Sequence, residues 1–135
     1  MSRAIYEIDG LDFTTEQEFY DVVSSRLIPG AEWGHNLDAF NDILGGGFGT
    51  PDDGFILRWV NSALSRDRLG YAETVRQLAH RLTRCHPSNQ PWVSAQLGRA
   101  RQGIGPTVFD WLIEIIEAHA PSGSEQEHSV ELILA

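Results

Sequence analysis

The sequence has no lysine. All ten basic residues are arginines, set against nineteen aspartates and glutamates, and the formal net charge is −9 with histidines neutral. This excess of anions argues against general nucleic-acid binding, which needs cations facing phosphates. It suits attraction to a basic partner. Cysteine is nearly as scarce: Cys85 stands alone, so an internal disulfide is excluded and a buried or half-buried thiol is expected. No apolar run is long enough to span a membrane. The opening MSRAIYEIDGLDF lacks the apolar stretch and small-residue cleavage site of a secretory leader. Together these absences make the cytosol the expected compartment.

The balance of what is present is that of one globular domain over 1–135, with 41% hydrophobic and 21% charged residues. Charge is unevenly spread. Residues 1–57 carry a net −9, residues 58–105 a net +6, and residues 106–135 a net −6. The two ends are expected to share an acidic face, or else the charges are simply scattered in solvent.

Hydrophobic periodicity orders the elements. AIYEI at 4–8 alternates and runs into Asp9–Gly10, which reads as a strand and a turn. Thr14 or Thr15 caps a helix with Glu16 and Glu18 in its first turn and Phe19, Val22, Val23 and Leu27 at helical spacing. Pro29–Gly30 stops it. Asn36 caps a second helix with Leu37, Phe40, Ile43 and Leu44 as its apolar stripe, and Gly45, Gly46 and Gly47 end it. FILRWV at 55–60 reads as a buried strand. Helices follow at 61–69, 72–84, 91–101 and 108–119, then a loose polar stretch at 121–128 and a closing strand, VELIL, at 130–134. Strands separated by helices favour an α/β fold with a parallel sheet. Trp59, Trp92 and Trp111 fall in apolar patterns and are expected in the core, whereas Trp33 is either a packing residue or an exposed contact.

The second helix carries the chemistry. Asp38 and Asp42 are four residues apart, hence on one face, where two like charges repel. Asp38 suits the first turn. Asp42 lies near the C-terminal end, where the helix dipole disfavours an acid. A partner cation would give both a use, and a solvated helix face is the plain alternative. His35, Asp38 and Asp42 at i, i+3 and i+7 could hold a metal, but no second cluster completes such a site. A two-carboxylate hydrolase lacks a nucleophile or third group. The run GGGFG at 45–49 follows a helix instead of preceding one, and no GK[ST] follows it, so a phosphate loop is a poor reading. His80, His86, His119 and His128 share no spacing that suggests a site.

At WGHNLDAFNDIL, residues 33–44, the sequence resembles the barstar family, whose pattern there is an aromatic, Gly, any residue, Asn-Leu-Asp-Ala, an apolar residue, a variable residue, Asp and apolar residues. The resemblance continues at the strand ending in Trp59, at the helix ending in Glu117–Ala118, and at VELIL. It implies a three-stranded parallel sheet packed by helices. It also implies a stoichiometric inhibitor of a basic ribonuclease or related toxin, monomeric when free, with no catalysis, cofactor or metal of its own. On this reading Asp42 is the key acid entering the enzyme's phosphate site, and Asp38 a second acidic contact. Glu32 and Trp33 are leading-loop contacts, and Glu117 is an acid at the rim. Gly34, Asn36 and Asn41 complete the partner-binding stretch. Glu32 stands where the family has an aromatic, and Asn41 where its founding member has a tryptophan. A helical insertion of roughly thirty residues, about 70–103, carries Arg76, Arg81, Arg84, Arg99 and Arg101 and either covers a flank of the sheet or binds something itself. A protein-binding module with a non-nuclease partner, and a metal-assisted enzyme, are the rival functions.

Overall fold

A computed structural model describes residues 3–51, 53–120 and 129–135. The polar stretch 121–128, His128 included, and Asp52 lie outside the described residues. The chain runs β1 (Ile5–Asp9), α1 (Glu16–Leu27), α2 (Leu37–Leu44), β2 (Phe55–Val60), α3 (Ser62–Arg68), α4 (Tyr71–Arg84), α5 (Gln90–Arg101), α6 (Val108–Ala118) and β3 (Val130–Leu134). The strands form one sheet in the order β1-β2-β3, parallel throughout. Parallel neighbours need crossover connections. The first contains α1 and α2, and the second contains α3 to α6. This is the α/β fold with a three-stranded parallel sheet packed by helices that the sequence implied.

Element ends agree with the sequence reading to within a residue or so. Two short 3-10 turns, Gly10–Asp12 and Pro87–Asn89, were not anticipated. Thr15, not Thr14, caps α1, its side chain accepting from the Glu18 amide. Asn61 precedes α3 in the left-handed region, φ 54°, and gives no side-chain cap.

Two expectations fail. Strand β2 is buried on one face only: Phe55, Leu57 and Trp59 point into the core while Arg58 is exposed. The register puts Glu7, Arg58 and Ile133 side by side on the other face, where Arg58 and Glu7 pair at 3.6 Å. That open face explains the charge in the middle of the strand. Trp92 is 62% exposed instead of buried. The inward stripe of α5 is Val93, Leu97 and Ala100, and Trp92 falls on the other side of the helix.

The main core is aromatic. Phe19 of α1 stacks on Trp59 of β2, with ring centroids 5.3 Å apart and planes at 27°. Phe13, Phe40 and Phe109 meet this pair edge-on. The Trp59 indole N–H, fully buried, donates to Ser65 Oγ at 2.9 Å. A second, smaller core of Leu78, Val93, Leu97 and Ala100 lies between α4 and α5, with half-buried Cys85 against it. Trp111 of α6 packs on both cores. Where the chain leaves the main core for α4 and where it returns, it touches itself: the Phe109 amide donates to the Leu69 carbonyl at 3.1 Å, and the Val108 amide donates to Thr74 Oγ1 at 2.9 Å.

Phe40 is the fully buried residue that fastens α2 to this core. Phe40→Ala is expected to cost about 3–5 kcal/mol. Urea denaturation should show a lower midpoint with an unchanged slope.

Candidate functional site

Helix α2 is short, and its sequence supplies both ends. Asn36 is extended, and its side-chain oxygen accepts from the Ala39 amide at 2.8 Å, satisfying an amide that the first turn leaves unpaired. Its side-chain nitrogen donates to the Gly34 carbonyl at 3.2 Å. A Cβ at Gly34 would lie 3.1 Å from that nitrogen and 3.2 Å from the Ala39 Cβ, so glycine lets the loop lie close against the helix. At the far end Gly45 donates back to the Asp42 carbonyl, and Gly46 and Gly47 adopt φ of 98° and 89°, which glycine takes without strain. Phe40, Ile43 and Leu44 are buried. Asp38 and Asp42 are exposed, and neither has a cationic partner within 4 Å among the described residues.

The loop before α2 is held to α1. The Trp33 indole N–H donates to Ser24 Oγ at 2.6 Å, and Ser24 Oγ lies 3.1 Å from His35 Nε2. Indole is a donor only, so the serine proton is free to point at His35. On its other side the ring presents Nδ1 at 3.7 Å from Asp21 Oδ1. Trp33 and His35 rings lie 4.4 Å apart, and Tyr20 meets Trp33 edge-on. A Ser-His-Asp arrangement invites comparison with a hydrolase. Here Trp33 occupies the serine oxygen, His35 and Asp21 are solvent-accessible, and the arrangement ties a loop down. It also holds His35 at φ 47°, an uncommon conformation for a residue with a side chain. Trp33 is therefore both half-buried packing and part of the loop surface. Sequence reasoning missed Ser24, whose one signal is its place four residues after Tyr20 on one helix face.

Asn41 turns to the protein. Its side-chain oxygen accepts from His119 Nε2 at 2.8 Å, and His119, at the C-cap of α6, is buried. This bond ties the end of α6 to the middle of α2. Glu117 is exposed in the last turn of α6, two residues before His119. Glu32 is exposed in the leading loop. The structure gathers Glu32, Trp33, Gly34, Asn36, Asp38 and Asp42 on one loop and helix. Sequence reasoning missed the role of His119, which had no spacing to mark it. Among the described residues no group of three histidine, cysteine or acidic side chains could hold a metal ion, so His35, Asp38 and Asp42 do not converge. None of the described helices is long and apolar enough to cross a membrane.

A family model described as Barstar (barnase inhibitor) matches residues 3–90. The chain belongs to the barstar family. A search of curated proteins gave no match. The matched span holds β1 to α4, the loop and α2 included, and the chain has the scaffold of a family of ribonuclease inhibitors. Helix α6 and strand β3 lie beyond it, yet they close the core and the sheet.

Beside the N-terminus of α2, this barstar-family chain has an open recess of about 310 Å³ lined by Glu16, Asn36, Leu37, Asp38 and Arg81. Glu16 is 6% exposed. Burial pushes its carboxyl above the usual range, against the pull of the Arg81 guanidinium and the Tyr20 hydroxyl. Burial and the neighbouring Glu16 push the Tyr20 hydroxyl up as well. Glu73 of α4 differs. Burial works to raise it, but hydrogen bonds from Arg76, Gln77 and the Glu16 amide outweigh burial and hold it below the usual range. These bonds clamp α4 to the start of α1.

A carboxyl raised in the folded state contributes stability below its unfolded value and loses it as pH rises through the folded one. Glu16 therefore weakens the fold at neutral pH. Glu16→Gln is expected to raise the melting temperature at pH 7, with the gain shrinking to nothing below about pH 4, the ordinary glutamate range. Thermal melts of both proteins across pH 3.5–8 measure this. An equal gain at every pH would show that ionisation is not its source.

Proposed function

We propose that the chain is a stoichiometric inhibitor of a basic ribonuclease or related toxin and works without catalysis, as a cytosolic protein monomeric when free. The observation that carries this reading is the exposed pair Asp38 and Asp42. Both lie on one face of a helix gripped by the loop staple on one side and by the Asn41–His119 bond on the other. Two like charges without cations raise the energy of the free protein. Their arrangement becomes favourable against arginines or lysines that normally bind phosphate, because a carboxylate takes the same charge-assisted hydrogen bonds. Holding α2 rigid beforehand lowers the entropy lost on docking. Asp42 is the central contact, with Asp38, Glu32, Trp33, Gly34 and Asn36 beside it and Glu117 at the rim. Asn41, its oxygen already accepting from His119, contributes chiefly its amide N–H donors.

Two observations favour a second reading, in which the scaffold binds a protein that is no nuclease. Glu32 stands where the family places an aromatic contact, and Asn41 is used internally. Aromatic anchors are typical of interface centres, and this surface presents only Trp33.

Residues 70–103 are proposed to be an insertion in the second crossover. The Leu69–Phe109 hydrogen bond and the bond from the Tyr71 hydroxyl to the Gly105 carbonyl support it, because they hold the two ends of the segment near each other.

For a panel of basic secreted ribonucleases including barnase, Asp42→Ala is expected to weaken binding by at least about a hundredfold, roughly 3 kcal/mol for one lost charge-assisted contact. Wild-type affinity should fall steeply with salt. A ribonuclease-protection assay reads both, and an unchanged affinity in Asp42→Ala would remove the acidic anchor. Replacing residues 71–103 by a short Gly/Ser linker should leave cooperative unfolding with a lower melting temperature. Loss of cooperativity would make α4 part of the core instead.

A further inference from the structure

Every exposed charge on residues 70–103 is positive. The segment has one acid, Glu73, which is buried and bonded to Arg76, Gln77 and the Glu16 amide. Of its five arginines, Arg81 is the one that borders the recess at the start of α2, which Glu16 and Asp38 also line. Its guanidinium carbon lies 5.2 Å from the centroid of the Trp111 ring, a cation–π distance, so the head group is held in place. Among the described residues no carboxylate lies within 4 Å of it.

A cation that makes no salt bridge among the described residues, at the rim of an acidic docking surface, works against a uniformly basic partner, since like charges brought together across an interface are repelled. It favours a partner whose charge changes sign there. We infer that Arg81 is a specificity-determining residue of the docking surface: the recess between α2 and α4 takes a carboxylate side chain of the ribonuclease, beside the cations that meet Asp38 and Asp42. The guanidinium presents a planar pair of N–H donors to such a carboxylate, and about 310 Å³ accommodates an aspartate or glutamate side chain. The inference rests on the inhibitor reading above. The same arginine also faces Glu16 electrostatically, so an internal role must be separated from a docking role.

The test uses the ribonuclease from the panel that binds the full chain most tightly. Association and dissociation rates are measured for the wild type, Arg81→Ala, Arg81→Glu, Arg81→Lys and Asp42→Ala, and for Arg81→Ala combined with Glu16→Gln, with a melting curve for each. The expected result is at least a tenfold loss of affinity in Arg81→Glu and a smaller loss in Arg81→Ala. Arg81→Lys should recover part of it, and the Arg81→Ala loss should persist in the Glu16→Gln background. Arg81→Glu binding as tightly as the wild type or more tightly, while Asp42→Ala fails to bind, overturns the inference and leaves the inhibitor reading standing. Restoration of full affinity by Glu16→Gln also overturns it, assigning Arg81 to internal charge balance. If no ribonuclease binds, or if Asp42→Ala binds normally, the inhibitor reading falls and the inference falls with it.

Discussion

The stack of Phe19 on Trp59 is the contact on which the rest of the structure depends. It joins the first helix to the central strand, and three other pieces of the main core each reach it through one aromatic ring. Phe13 arrives from the turn after β1, Phe40 from α2 and Phe109 from α6. Edge-to-face and offset contacts prefer particular angles, so the cluster fixes orientation as well as burial. The acidic helix is thus positioned by a ring on its underside, while its charged face stays free of structural duty. Core face and acidic face are separate sides of eight residues.

The division of labour between loop and helix follows from the same economy. Alone, α2 would be too short to persist in water. Its N-cap, its glycine stop, Phe40 and the bond from His119 hold it. The leading loop has no secondary structure and is held by one indole and one imidazole meeting at one serine. Rigidity on this side of the protein comes from side chains on α1 and α6 more than from α2 itself.

Much of this was legible in the sequence, and the limits are physical. Caps, glycine stops and helical spacing placed α1, α2 and α6 because each signal is local. The parallel sheet followed from strands separated by helices. Strand β2 misled because FILRWV looks uniformly apolar apart from Arg58, and which faces of a sheet are covered is settled by distant helices. Trp92 misled because hydrophobicity does not say which side of α5 meets α4. The acidic pair was visible as a spacing and a dipole mismatch, with the family pattern adding the roles. The tertiary surroundings of His119, Ser24, Glu16 and Arg81 were not visible. Each matters through a partner 11 to 78 positions away or through a recess formed by separate helices. The proposed insertion at 70–103 overlaps the family match, which runs on through α4 to residue 90.

The adjacency of Leu69 and Phe109 has a consequence for chain entropy. Between Val60 and Val130 the second crossover holds 69 residues, 61–129, of which 70–103 make up 34. Those 34 residues roughly double the crossover, and doubling a flexible loop adds only about 0.6 kcal/mol to the cost of closing it. The α4–α5 hairpin brings its own small core to set against that cost. A crossover that enters and leaves through neighbouring backbone positions can therefore change length by a hairpin with little effect on the pairing of β2 with β3, although the Arg81 wall of the recess beside Asp38 would go with the hairpin.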